Sequence, residues 1–251
     1  MIRSYLINLE RDHERLAHMV KFFNAANLGV ERIPAIDGSR FNDEEVEDFC
    51  KTHPRPKNAT WGRGQIGCFL SHRKAWEELV QSQNRFGAIF EDDLHISPDI
   101  IALLESSLWI PEDADIVRFE TSTNRLLMGN PVFKYNKRQL RKLNSTSWCA
   151  GAYIIRKECA ERLLAVPSEN SDTVDAFLFD RENSRIAQSL NVYQFSAALC
   201  VQDKYFQEGP RRGFETNIEE SEGETFGFLR KLCAGAVIRT LRGFKRVRFQ
   251  V

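Results

Sequence analysis

The sequence contains no run of 18 apolar residues, so no segment reads as a membrane-spanning helix. Its first residues enter a strand-like pattern without the basic region and apolar stretch of a secretory signal, and export is not expected. Six cysteines (Cys50, Cys68, Cys149, Cys159, Cys200, Cys233) show no CxxC spacing and sit in apolar or helical contexts, which argues against zinc and fits reduced core thiols. No histidine follows His95, so a metal ligand from the C-terminal half would have to be another residue type. There is no internal repeat. Acids are missing from residues 230–251, where Arg230, Lys231, Arg239, Arg242, Lys245, Arg246 and Arg248 stand uncompensated.

That last absence changes the meaning of the zero net charge. Setting those seven cations aside leaves 28 Lys and Arg against 35 acids, an acidic body joined to a basic tail. With 251 residues, 42% hydrophobic and 28% charged, the chain reads as one α/β domain over 1–222 and a tail over 223–251. No nucleic-acid partner is expected.

What is present alternates between strand and helix. "IRSYLINL" predicts a first strand, and Leu16, Met19, Val20, Phe23 and Ala26 recur at helical spacing up to a stop at Gly29. "VERIPAIDG" predicts a short second strand, and a helix over 64–83 feeds a strand in "FGAIFEDD". A helix over 98–107, strands in "ADIVRFE" and "GAYIIR", and a helix over 157–164 follow. This order predicts a central, mostly parallel sheet flanked by helices. Polar stretches at 53–63 and 124–147 read as binding loops or lids.

Three consecutive carboxylates, Glu91, Asp92 and Asp93, close the buried strand. Alternation sends Glu91 and Asp93 to one face and Asp92 to the other. Charge held at a strand end beyond a parallel sheet suits a hard divalent cation that also grips phosphate oxygens. The competing reading is a solvated turn before the helix that starts near Ser97 and Pro98.

The blocks "YLINLERDHER", "WGRGQIGCFLSHRKAW", "FEDD", "GAYIIRKECAERLL" and "TVDAFLFD" resemble, in order, those of glycosyltransferase family 25, the lipooligosaccharide-biosynthesis galactosyltransferases. The resemblance spans about residues 2–205 and implies a GT-A-like nucleotide-sugar-binding fold. It also implies transfer of a hexose, usually galactose, from a UDP-sugar with inversion, helped by Mn²⁺ or Mg²⁺. Asp93 and Asp92 then become metal ligands, Asp203 a weaker third candidate, and Glu91 a ribose or orienting group. Asn8, Arg11 and Arg15 match the opening motif near the nucleotide, and Ser71 and His72 match a Ser-His pair. Asp37 ends the second strand, where it either meets uracil or ribose or forms an ordinary Asp-Gly turn. Asp175 matches a downstream Val-Asp pair and is the candidate base, with Asp180 as alternative. A side chain at Gly151 would crowd donor or acceptor, with plain packing as the rival account.

The implied acceptor is a lipid-linked oligosaccharide. Drawn as a helix from Phe228, the tail separates Leu229, Leu232, Cys233, Ala236, Val237, Leu241 and Phe244 from Lys231, Arg239, Arg242, Lys245 and Arg246. A basic amphipathic helical tail fits an anionic membrane surface and peripheral attachment to the cytoplasmic face of the bacterial inner membrane. A docked terminal helix is the alternative. A sugar-nucleotide pyrophosphorylase would carry a glycine-rich phosphate loop that "YLINLERD" lacks, and a non-catalytic membrane scaffold is the remaining reading.

Overall fold

Tyr5 and Ile7 face one way along the first strand and Leu6 the other, and this alternation recurs in every central strand, so the sheet is buried on both sides. The computed structural model describes residues 1–209, 211–214 and 243–251. Elements follow as β1 (Arg3–Asn8), α1 (His13–Ala25), β2 (Val30–Pro34), α2 (Asp43–Thr52), α3 (Arg63–Gln81), β3 (Phe86–Glu91), β4 (Leu94–Ile96) and α4 (Ile100–Glu105). Next are β5 (Ile116–Arg118), β6 (Arg125–Leu126), β7 (Met128–Tyr135), β8 (Arg138–Leu143), β9 (Ala152–Arg156), α5 (Lys157–Leu164), α6 (Val174–Phe179) and α7 (Arg185–Ser189). The last are β10 (Val192–Phe195), β11 (Ala197–Ala198), β12 (Cys200–Gln202), β13 (Lys245–Arg246) and β14 (Arg248–Phe249).

Eight strands form the central sheet in the order β2-β1-β3-β9-β5-β10-β8-β7. It is mostly parallel in direction: β9 and β8 run against the others. One apolar layer joins Tyr5, Ile89, Tyr153 and Ile155 to Phe69, Trp76 and Phe177 under α3, α5 and α6. The other joins Leu6, Phe90 and Ile154 to Met19, Phe23, Leu103 and Leu104 under α1 and α4. No described helix is long and apolar enough to cross a membrane.

Local chemistry accounts for the element ends. The first helix stops at Asn27 rather than Gly29: Asn27 takes φ 53°, Leu28 N–H bonds Phe23 O at 2.9 Å, and Asn27 N–H bonds Asn24 O at 3.0 Å. Leu28 and Phe23 then share the same core. A helix absent from the sequence reading, α2, starts with a capping box in which Asn42 Oδ1 accepts from Glu45 N–H at 2.9 Å and Glu45 Oε2 from Asn42 N–H at 2.8 Å.

Two expectations are corrected. Most of 124–147 is a hairpin: β7 and β8 pair antiparallel around a two-residue turn at Asn136 and Lys137, with Asn136 at φ 53°. The helical reading of the tail fails at Lys245 and Arg246, which are strand, while residues 223–242 lie outside the described residues. Period two governs this end of the chain, with Val247 and Phe249 buried and Lys245, Arg246 and Arg248 exposed. β14 pairs with β11, β13 with β6, and the Thr121 hydroxyl donates to Val247 O at 2.8 Å.

Buried Arg138 locks this end in place. Its guanidinium donates to Asp99 Oδ2 (3.0 Å), Ala197 O (3.2 Å), Ala198 O (2.7 Å), Ser97 Oγ (2.8 Å) and Gln250 O (2.6 Å). Arg138→Met leaves these acceptors dry, and urea denaturation is expected to register a loss of about 3 kcal/mol. Lys245→Ala, on the outward face, is expected to cost under about 0.5 kcal/mol. Equal midpoints for the two variants would refute the clamp.

Candidate active site

Parallel β1, β3 and β5 end at one edge of the sheet and deliver Asn8, Glu91 and, two residues past β5, Glu120. Because β9 is antiparallel between β3 and β5, its beginning lies at that same edge. Gly151 therefore sits between two carboxylates. A Cβ there would lie 3.1 Å from Glu120 Oε2 and 3.1 Å from Glu91 Oε2, so what a side chain would crowd is this acidic pair. Gly151 N–H donates to Glu120 Oε2 at 2.6 Å, and Glu91 N–H to Gly151 O at 2.8 Å.

Glu91 is held from every side. Trp76 Nε1–H donates to the Tyr153 hydroxyl at 2.9 Å, and that hydroxyl lies 2.9 Å from His72 Nδ1. An ionised carboxylate can only accept, so His72 Nε2–H donates to Glu91 Oε1 at 3.2 Å. Gln202 Nε2–H donates to Oε2 at 2.9 Å, and Cys68 Sγ lies 3.7 Å from Oε1. Burial pushes the Glu91 carboxyl up, but the His72 and Gln202 bonds outweigh it and hold it below the ordinary value.

The strand stops at Glu91, so Asp92 and Asp93 occupy a bend rather than strand positions. Asp92 nonetheless turns toward β1 and α1, accepting from Asn8 Nδ2 at 2.6 Å and Arg15 Nη1 at 3.2 Å. Burial raises its carboxyl despite these partners. Asp93 Oδ1 is buried and has no hydrogen-bond partner among the described residues. Burial, then Glu91 and Asp92, push the Asp93 carboxyl up to about 7. Glu120, absent from the sequence reading, is buried with Oε1 unpartnered. Burial, then the charge of Glu91, raise it to about 8. Its signal was present: "IFE" and "RFE" bring a glutamate after Phe to the ends of two strands that run in the same direction.

The other candidates divide. Asp175 accepts from Thr173 Oγ1 (3.0 Å), Ala176 N–H (2.9 Å) and Cys149 N–H (3.3 Å), and its charge helps burial raise the Cys68 and Cys149 thiols, which places it beside the acidic pocket. Asp180 instead organises the turn after α6, accepting from Thr146 Oγ1, Glu182 N–H, Asn183 N–H and Asn183 Nδ2. Ser71 is structural, donating to Gly67 O at 2.6 Å and accepting from Ile36 N–H at 2.8 Å. Arg11 and Asp37 form an ion pair at the end of β2, with Ser39 as a further donor to Asp37. Asp203 is tied to Asp93 by its backbone (N–H to Asp93 O, 2.8 Å), but its carboxylate takes His95 Nε2 (2.6 Å), Arg212 N–H (2.8 Å) and Phe214 N–H (3.1 Å). Lys204, also missed, adds positive charge that favours ionised Glu91, after His72, and ionised Asp93, after Arg15.

Cys68, His72 and Glu91 present ligand atoms within 4.8 Å of one another, but their mutual hydrogen bonds already satisfy them. The oxygens of Asp93 and Glu120 that lack partners are hard and anionic, and they suit Mg²⁺ or Mn²⁺.

The sequence profile described as "Glycosyltransferase family 25 (LPS biosynthesis protein)" matches residues 1–178. The chain is 26% identical over 223 residues to the lacto-N-neotetraose biosynthesis glycosyltransferase LgtE of Neisseria meningitidis serogroup B, covering 82% of this chain and 75% of that protein. It is 28% identical over 210 residues to the lipooligosaccharide biosynthesis protein lic2B of Haemophilus influenzae, covering 80% and 76%. A glycosyltransferase 25 family member of Drosophila pseudoobscura pseudoobscura is 30% identical over 194 residues, covering 72% of this chain and 30% of that protein.

Proposed function

Because the chain belongs to glycosyltransferase family 25 and is a glycosyltransferase, we propose that it moves a hexose, galactose foremost, from a UDP-sugar to a hydroxyl of a growing lipooligosaccharide, with inversion and with Mn²⁺ or Mg²⁺. The observation that carries this reading is the convergence of Glu91, Asp93 and Glu120 at the sheet edge where α/β proteins bind nucleotides. Asp93 would hold the metal, which supplies positive charge to the diphosphate as it leaves. Lys204 adds a second positive charge beside the same acids. Asn8 and Arg15 keep Asp92 turned toward α1, and His72 keeps Glu91 ionised and fixed. In this reading these residues would form a GT-A-like donor site.

Asp175 takes the proton of the acceptor hydroxyl in this scheme. UDP release from a panel of UDP-hexoses, with and without Mn²⁺ and with lactose-type acceptors, tests the reaction. Absence of release in every combination would defeat it. Asp175→Asn is expected to lower kcat by ~10²-fold or more with UDP affinity nearly unchanged. A collapse of UDP affinity would move Asp175 to the donor site.

The cations of 230–251 suit attachment to an anionic cytoplasmic membrane face, each worth ~1 kcal/mol near the surface. Since Val247 and Phe249 are buried, the test neutralises Arg230, Lys231, Arg239 and Arg242 to Gln instead of truncating. Co-sedimentation with anionic vesicles is expected to fall sharply, and an undiminished pellet would reject the membrane role.

A further inference from the structure

We propose that Glu120 and Gln202, rather than Asp92 or Asp203, complete the divalent-cation site around Asp93. This deepens the metal-dependent reading above and rests on it. Four buried side-chain polar atoms lack a hydrogen-bond partner among the described residues: Asp93 Oδ1, Glu120 Oε1, Gln202 Oε1 and Gln194 Oε1. Buried acceptors left dry are rare in folded proteins and call for an ion or a water.

Topology brings three of the four together. β12 pairs antiparallel with β4, setting Gln202 opposite Leu94, the residue after Asp93. On its other side the same strand bridges to Glu120 through Cys200. The three side chains thus come from adjacent backbones at one sheet edge. The Gln202 amide is already oriented, because its nitrogen donates to Glu91 Oε2 at 2.9 Å and its oxygen is thereby free for a cation. Glu120 is fixed in the same way, with Oε2 taking Gly151 N–H at 2.6 Å and Oε1 left over. Gln194, the fourth, lies on β10 and gives its amide hydrogens to Glu120 O and Phe195 O.

Asp92 and Asp203 differ from these three in that each of their carboxylate oxygens already accepts a hydrogen bond. Asp92 spends one oxygen on Asn8 and the other on Arg15. Asp203 spends one on His95 and Arg212 N–H and the other on Phe214 N–H. What remains is two carboxylates and one amide oxygen, a hard set that matches a 2+ charge and leaves positions for water and phosphate.

Calorimetric titration with Mn²⁺, backed by electron paramagnetic resonance of the free ion, tests this. Glu120→Gln is expected to weaken Mn²⁺ binding about ten-fold or more, and Gln202→Glu to tighten it by adding a charged ligand. Asp92→Asn is expected to stay within about three-fold of wild type, its charge being felt only from outside the cage. Wild-type affinity in Glu120→Gln, or an equal loss in Asp92→Asn, would overturn the ligand set and leave the metal-dependent reading standing. Should Glu120→Gln not fold, unchanged or weaker binding by Gln202→Glu overturns it in its place. Failure of the wild type itself to bind Mn²⁺ would overturn both.

Discussion

Asp93→Asn is expected to reduce sugar transfer by about 10³-fold or more while leaving the fold intact. An amide keeps the shape of the carboxylate but removes the charge that the proposed cation needs. The same change relieves the metal-free protein, since burial and the charges of Glu91 and Asp92 outweigh the favourable charges of Arg15 and Lys204 at Asp93. Inactivity should therefore come with unfolding midpoints in EDTA equal to or above those of wild type. Two results would count against the assignment: turnover near wild type at saturating Mn²⁺, or a variant that is inactive because it no longer folds.

The second large effect is on stability against pH, and it runs opposite to ordinary acid denaturation. Asp93 at about 7 and Glu120 at about 8 lie above their unfolded values of 3.8 and 4.5. Between roughly pH 4 and 8 the folded chain keeps protons that the unfolded chain has released, so metal-free stability falls as pH rises through that window, each pKa unit being worth about 1.4 kcal/mol. Glu91 and Asp203, held low, act only at the acid end, where their contribution is lost as pH falls through their folded values. Urea midpoints in EDTA should decline from pH 4.5 to 8, the decline should shrink in Glu120→Gln, and saturating Mn²⁺ should counter it. Midpoints that climb steadily over this range in EDTA would contradict a burial of these two acids that outweighs the positive charges near them.

Local periodicity made β1, α1, α3, β3 and α5 legible, since each carries its apolar face within its own sequence. The hairpin of β7 and β8 was hidden because Gly129, Pro131, Lys134, Arg141 and Lys142 suppress the apolar alternation that marks a strand. The direction of β9 was not legible either: "GAYIIR" reads the same in a parallel or an antiparallel sheet. At the site, the acidic triplet announced itself, but its partners did not. Asn8 and Arg15 meet Asp92 across 84 and 77 residues, and Gln202 meets Glu91 across 111, distances over which no motif speaks. Asp203 and Asp180 looked available in sequence because nothing there reveals that neighbouring backbone N–H groups already occupy them.

The docking of β13 and β14 changes what kind of polymer the basic segment is. Residues 211–214 are pinned through Asp203, and 245–250 through Thr121, Arg138 and β11, so the segment between them is tethered at both ends. Cutting the chain at its end therefore disturbs the body: removing the last nine residues extracts Val247 and Phe249 from it and strips Arg138 of one of its acceptors. For this protein, trimming the C-terminus is surgery on the sheet edges.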